Sequence, residues 1–293
     1  MSEFSLAGTR RFELTAAASG AAYDVFLAVP DEPPPEAGFP VIYMLDADRS
    51  FATLVETLRR GAGRRAATGI EPAVAVGIAH PAGTARERRR LDYTPGPAAG
   101  EGGHGPCGGR DAFLRVIEQD LKPMVARQAP IDESRQALFG HSLAGYFVLD
   151  VLARDPAAFH SYIAVSPSVW WDRARLEAGL ERTSPTPPVR LMVLVGEWEQ
   201  ALAPWQSCGP DAQETARRRA RRAMVDEARD IAACAERLLG PAAQVRFQVL
   251  ADEDHASILP AAMSRALRFA LADDPAIRAD ATSGCLHTID SSG

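Results

Sequence analysis

The apolar residues of this chain fall into short blocks separated by mixed, helix-like stretches. Residues 41–45, Val-Ile-Tyr-Met-Leu, form an unbroken run of β-formers, the pattern of a strand buried on both faces. Apolar-rich stretches at 73–78, 136–140, 162–165, 189–195 and 245–250, some of them holding a polar residue, predict five more buried strands. Ahead of them, 11–17 and 22–29 predict the two strands of a hairpin that turns near Gly20. Helical spacing predicts helices over 51–60, 111–128, 143–154, 173–180, 211–239 and 256–271. In the second of these, Phe113, Val116, Ile117 and Leu121 share one face. Strand and helix alternate from residue 40 to 271 after an antiparallel start. That order predicts an α/β fold, a mostly parallel sheet with helices on both faces.

Two stretches break the pattern. Residues 80–110 are rich in Gly, Pro and Arg and show little period, so they predict a long loop excursion after the fourth strand. Residues 273–293 are mixed and polar and predict a loosely held tail. There is no internal repeat and no composition shift that would mark a second domain. One α/β domain over 1–293, with its core at about 10–272, is expected. The glycines at 100–109 lie outside any strand-turn-helix context and match no phosphate-binding fingerprint.

Composition narrows the function classes. A net charge of −6 argues against a nucleic-acid partner. The chain has a single lysine, Lys122, and no asparagine, so its many arginines reflect a chain-wide bias and carry no function as such. The cysteines, Cys107, Cys208, Cys234 and Cys285, form no C-x-x-C pair or Cys/His cluster, so neither structural zinc nor a redox centre is expected. Residues 1–18 lack the apolar core of a signal peptide, and no apolar stretch is long enough to span a membrane. The expectation is a cytoplasmic protein with no membrane partner.

The chemistry centres on Gly140-His141-Ser142-Leu143-Ala144-Gly145, between a predicted strand and a predicted helix. This is a variant of the nucleophile elbow G-x-S-x-G. A serine held in so sharp a turn stands clear at the C-terminal edge of the sheet. The same residues would also suit a helix N-cap. A serine hydroxyl needs a base, and in an open parallel sheet the partners must come from other strand ends. His255 follows the last strand and precedes the last helix, the place of the base in this architecture. His80, after a strand end, is the second choice. His141 adjoins the serine, but its side chain is expected to point away from the site. Glu199, with Glu197 close behind, follows the strand at 189–195 and would orient the histidine; a Ser–His pair without an acid is the alternative. Leu143 and Ala47, or Asp48 beside it, are the expected oxyanion donors. Asp46 and Asp48 could instead suggest Mg²⁺, a minor reading beside the elbow. Ser166 and Ser168 are read as pocket wall, with Trp170 or Trp171 as a pocket lining.

Several stretches together resemble a known family. They are Tyr43-Met44-Leu45-Asp46-Ala47, Arg89-Arg90-Leu91-Asp92-Tyr93-Thr94-Pro95, Gly108-Gly109-Arg110-Asp111-Ala112-Phe113-Leu114, the elbow through Phe147, and Ser166-Pro167-Ser168-Val169-Trp170-Trp171. The chain is similar to the putative esterase (esterase D-like) family of α/β-hydrolases, in the branch of siderophore trilactone esterases. The resemblance covers roughly residues 10 to 272 and implies Ser142 as nucleophile and His255 as base. Some members of that branch resemble Ser–His dyads. Two positions depart from the family pattern: Ala144 stands where glycine is usual, and Ala47 where glycine is frequent.

The excursion adds Arg86, Arg88, Arg89 and Arg90 beside Tyr93, where they would attract an anionic ferric tris-catecholate. A solvated charge run is the competing reading. Arg89, Arg90, Tyr93 and Trp170 are therefore the expected substrate-binding residues. The expected activity is that of a serine carboxylesterase needing no metal or cofactor. Its substrate would be a small ester, with a siderophore trilactone the leading candidate. An acyltransferase of the same fold and a non-catalytic ligand-binding member are the rival readings.

Overall fold

The computed structural model describes residues 5–99, 105–185 and 188–272. The polar tail at 273–293 and the glycines at 100–103 lie outside the described residues. Eight strands form one sheet: β1 (Thr9–Thr15), β2 (Ala22–Ala28), β3 (Phe39–Leu45), β4 (Val74–Ala79), β5 (Ile131–His141), β6 (Ser161–Val165), β7 (Val189–Gly196) and β8 (Ala243–Leu250). Their spatial order is β1-β2-β4-β3-β5-β6-β7-β8. β1 pairs antiparallel with β2, and β2 with β4; every later pairing is parallel. The antiparallel opening and the parallel remainder follow the pattern read from the sequence.

Period-two alternation divides the apolar residues between two layers. On β3, Val41, Tyr43 and Leu45 enter one core cluster, and Ile42 and Met44 the other. Every residue of β3, β4, β6 and β7 is buried, as expected of parallel strands covered on both faces. The helices are α1 (Phe51–Ala62), α2 (Arg65–Thr68), α3 (Ala85–Tyr93), α4 (Arg110–Arg115), α5 (Lys122–Ala126), α6 (Leu143–Arg154), α7 (Arg173–Leu180), α8 (Ala212–Arg222), α9 (Met224–Leu239) and α10 (Ile258–Leu271). α1 and α10 cover one face of the sheet, and α6 and α9 lie with the cluster on the other.

Three differences from the expected elements have physical causes. The excursion contains α3, where the sequence pattern predicts loop. This helix is fastened by polar contacts more than by an apolar stripe. Arg89 pairs with Asp46, and Asp92 accepts the Tyr23 hydroxyl and pairs with His80 Nε2. Hydrophobic periodicity cannot register such a helix. The helix expected over 211–239 is broken at Ala223, which sits at φ 44 in the left-handed region. α8 buries none of its residues, whereas α9 buries Met224, Ala228, Ile231, Ala232, Ala235 and Leu239. The break lets α9 lie on the sheet while α8 stays on the rim. The helix expected over 111–128 passes through a π-helical stretch, Val116–Leu121, between α4 and α5.

α6 runs from the elbow through the core, with Ala144 to Ala153 all buried. Its one acidic residue, Asp150, is fully buried and paired with both Arg110 and Arg175. Arg110 also reaches Asp155 at 2.8 Å. A buried charge is tolerated only when paired in this way. The cluster fixes the end of the excursion and the start of α7 to the helix that begins after Ser142.

Candidate active site

β5 turns into α6 through Ser142, whose backbone sits at φ 61, ψ −120. Such a conformation costs on the order of 1–3 kcal/mol for a residue with a Cβ, and it needs neighbours that leave no alternative. Gly140 is one of them: a Cβ there would meet the Ala144 carbonyl carbon at 2.5 Å. The Ser142 N–H donates to the Val165 carbonyl, and the Ser142 carbonyl accepts from Ser168, so the turn is locked to β6 and the loop after it. An N-cap serine would place its side chain on the helix's own N–H groups, and Ser142 makes no such bond. Its Oγ points to His255 instead.

The Ser142 Oγ lies 3.0 Å from His255 Nε2, and His255 Nδ1 lies 2.6 Å from Glu199 Oε2. Chain order and sheet order together produce this contact. β5, β6, β7 and β8 are successive parallel neighbours, so the turns after β5, β7 and β8 open on one edge. Glu199 ends a 3-10 turn directly after β7 and is only 2% exposed. Its Oε1 accepts the Ser166 hydroxyl at 2.5 Å and the Gly196 N–H at 2.7 Å. Three donors therefore converge on one buried carboxylate. Glu197, the alternative acid, accepts the Asp252 N–H and ties down the loop that carries His255. Gly196 is needed for the approach, because a Cβ there would meet the Glu253 carbonyl oxygen at 2.5 Å.

Other expected residues occupy other places. His80, the second candidate for the base, is buried among Tyr23, Tyr93 and Phe113, and its Nε2 lies 2.9 Å from Asp92. His141 corrects the expectation that it points away. Its ring lies 4.6 Å from that of His255, tilted by 38°. Burial, and then the neighbouring His255, push the His141 pKa down from 6.5 to about 3, so it is a neutral aromatic support. Tyr93, expected on the substrate surface, is fully buried and donates its hydroxyl to Asp46 at 3.0 Å. Arg89 grips the same carboxylate with two bonds of 2.7 Å each. Arg90 packs its guanidinium against Gly105. Arg89 and Tyr93 are thus struts for the Asp46 turn, which stands at φ 53.

That turn leads into Ala47. Met44 pairs with Phe139, so Ala47 and Ser142 each lie three residues further along neighbouring parallel strands. Ala47 opens one short 3-10 turn and Leu143 opens α6, so both N–H groups are among the first-turn donors that a helix cannot satisfy itself. Ala47, the departure from glycine, fits because it packs on Gly77, where a Cβ would meet the Ala47 methyl at 2.5 Å. Asp46 is engaged by Arg89 and Tyr93, and among the described residues no group of three or more His, Cys, Asp or Glu is arranged to hold a metal. No described helix is long and apolar enough to cross a membrane.

Ser166 and Ser168 do more than line a wall. Ser166, at φ 45, holds Glu199, and the Ser168 Oγ is 3.5 Å from that of Ser142. Trp171 is buried and donates to Gly96, while Trp170, two residues beyond Ser168, is half-buried with the Arg222 guanidinium 4.3 Å over its ring. No sequence signal marked the roles of Gly196 and His141. Ser166 carried one, since it ends a strand lying between those of the serine and the acid.

The model of the Putative esterase family matches residues 16–234. The chain is 36% identical over 290 residues to the ferri-bacillibactin esterase BesA of Bacillus subtilis, covering 92% of each chain. It is 32% identical over 246 residues to the siderophore triacetylfusarinine C esterase of Aspergillus fumigatus, covering 80% of this chain and 82% of that one. Among solved structures, the siderophore hydrolase EstB of Aspergillus nidulans superposes with a TM-score of 0.79 at 26% identity, covering 94% of this chain and 99% of that one. The BES protein of Bacillus cereus gives 0.78 at 26% identity, covering 92% and 98%. The chain belongs to the Putative esterase family and is an ester hydrolase of the α/β-hydrolase fold.

Proposed function

We propose that this protein is a serine esterase that opens the trilactone backbone of a ferric siderophore. The observation that carries the reading is the unbroken relay from Ser142 Oγ through His255 to Glu199, at 3.0 and 2.6 Å. The names of the relatives, a ferri-bacillibactin esterase and a triacetylfusarinine C esterase, support the substrate class.

Ser142 Oγ attacks the ester carbonyl carbon while its proton passes to His255 Nε2. The carbonyl electrons move onto oxygen, where the N–H groups of Leu143 and Ala47 receive them; each such donor is worth about 10²–10³ in rate. Collapse expels the alcohol, which takes the proton from His255 and leaves an acyl-enzyme. Water then repeats the sequence: its proton goes to Nε2, its oxygen attacks, and Ser142 leaves with the proton. The products are an acid and an alcohol, and each ester of the macrolactone needs its own round. Throughout, Glu199 accepts the Nδ1–H of His255, fixes its tautomer and stabilises the imidazolium. Arg89 and Tyr93 act through Asp46 on the Ala47 donor, and Trp170 borders the substrate. The reading places the enzyme in the cytoplasm, a reducing compartment that suits the free Cys107, Cys208 and Cys234.

A serine-directed fluorophosphonate tests the assignment. It should label Ser142 in the wild type, identified by peptide mass, and label it at least about a hundredfold more slowly in His255→Ala. Labelling at another serine, or none, would refute it. Incubation with a ferric triscatecholate trilactone should release linear trimer, then dimer and monomer.

A further inference from the structure

The rim of the site carries charges that no described carboxylate answers. α8 is fixed beside the catalytic loops. Arg219 donates to the Ala201 carbonyl and to Gln206, and Gln206 in turn donates to Asp254, next to His255. The Gln200 amide oxygen, beside Glu199, accepts the N–H groups of Val225 and Asp226 at the start of α9. These bonds hold the end of α8 against the loops that carry Glu199 and His255. There Arg222 stacks over Trp170, two residues beyond Ser168 and its contact with Ser142. Arg218 lies one turn earlier, at i−4 on the same helix face. Among the described residues no carboxylate lies within ion-pair distance of either Arg218 or Arg222, whereas Arg173, Arg175, Arg219 and Arg229 all have acceptors. Partial burial, and then repulsion from Arg218 and Arg221, lower the Arg222 pKa. A guanidinium lying on an indole keeps its edge N–H donors free for an anion. Trp205, 65% exposed, adjoins Gln206, which donates to Asp254.

We propose that Arg222, stacked on Trp170 at the mouth of the Ser142 site, forms with Arg218 an anion subsite. It takes a metal-bound catecholate arm of the substrate and so selects anionic ferric complexes over neutral ones. This rests on the siderophore reading and sharpens it. Three catecholates around ferric iron leave a net triple negative charge, and three hydroxamates leave none. The arginines expected to do this from the sequence, Arg89 and Arg90, lie in α3 with their contacts elsewhere. A helix C-terminus also favours basic residues through its dipole. That role would change stability and leave ligand charge preference alone.

The test is direct binding, measured by tryptophan fluorescence quenching, in a Ser142→Ala background where no ester is cut. The ligands are a ferric triscatecholate trilactone and a ferric trihydroxamate. Arg222→Ala should weaken the anionic ligand by about tenfold or more, as expected for the loss of charge-assisted hydrogen bonds. Arg218→Ala should weaken it by a smaller factor, and the neutral ligand should stay within about twofold. Salt should weaken anionic binding in the background protein and much less in Arg218→Ala/Arg222→Ala. Unchanged anionic binding in the double variant, or equal losses for both ligands, would overturn the subsite and leave the esterase reading intact. If the Ser142→Ala protein binds no ferric trilactone at all, the substrate reading falls and the subsite with it.

Discussion

Replacing Glu199 by glutamine keeps size and burial but removes one charge, and the local bonds dictate the consequence. Glu199 Oε1 already accepts from Ser166 and from the Gly196 N–H. The amide oxygen of a glutamine must serve those two donors, so its NH₂ group faces His255 Nδ1. Two donors cannot face each other at 2.6 Å. The imidazole therefore shifts its proton to Nε2, the atom 3.0 Å from the Ser142 hydroxyl. It then donates to the serine and can no longer take its proton. The imidazolium also loses its buried counter-charge. The corresponding acid-to-amide exchange in serine-protease triads lowers kcat by about 10⁴-fold, which at 1.36 kcal/mol per tenfold is about 5 kcal/mol of barrier. KM should move little, because a carboxylate 2% exposed does not touch substrate. Steady-state kinetics on a nitrophenyl ester, with a melting curve to show an intact fold, measure the effect. A fall in kcat of less than about tenfold would refute the reasoning and leave a Ser–His pair as the catalytic unit.

His141 gives a pH prediction. Its pKa is about 3 in the folded chain and 6.5 as a free side chain, so between these values the unfolded chain binds a proton that the folded chain does not. Stability should therefore fall as pH drops below about 6.5, by up to about 1.4 kcal/mol per unit from this residue, and His141→Phe should flatten that slope in urea titrations. Arg89→Ala frees the Asp46 turn; kcat should drop by about tenfold alike for neutral and anionic esters, with no selective rise in KM for the anionic one. Gly140→Ala drives a Cβ into the Ala144 carbonyl and should cost about 2 kcal/mol or more of stability, read from the urea midpoint, with loss of activity.

Local pattern encodes some of this structure and is blind to the rest. Apolar runs marked β3, β4, β6 and β7 because a strand covered on both faces needs little else. β8, expected from 245–250 to be buried as well, is the sheet's edge strand and buries only Leu250, with Arg246 and Gln248 interrupting its apolar residues. The tight glycine at 140 and the small residues after Ser142 marked the elbow because only such residues permit φ 61 there. Ser142, His255 and Glu199 could be placed because each ends or follows a strand, and parallel strands deliver their ends to one edge. Contacts that depend on side-chain direction were not legible. Tyr93 and Arg89 belong to α3, whose polar fastening, Arg89 and Tyr93 to Asp46 and Asp92 to Tyr23 and His80, leaves no apolar period. His141 lies next to Ser142 in sequence, yet its ring reaches His255 because β5 continues to His141 before the turn begins. Arg222 sits in an arginine-rich stretch that composition alone discounts. Only the break at Ala223 and the bonds of Arg219 and Gln200 bring it to the rim.

The most direct measurement is hydrolysis by the wild type, Ser142→Ala and His255→Ala of short-chain nitrophenyl esters alongside apo and ferric triscatecholate trilactones. Trilactone cleavage far faster than simple ester cleavage, and lost in both variants, is the predicted result. Fast cleavage of simple esters with inert trilactones would contradict the siderophore assignment, and trilactone cleavage that persists in Ser142→Ala would contradict the serine mechanism itself.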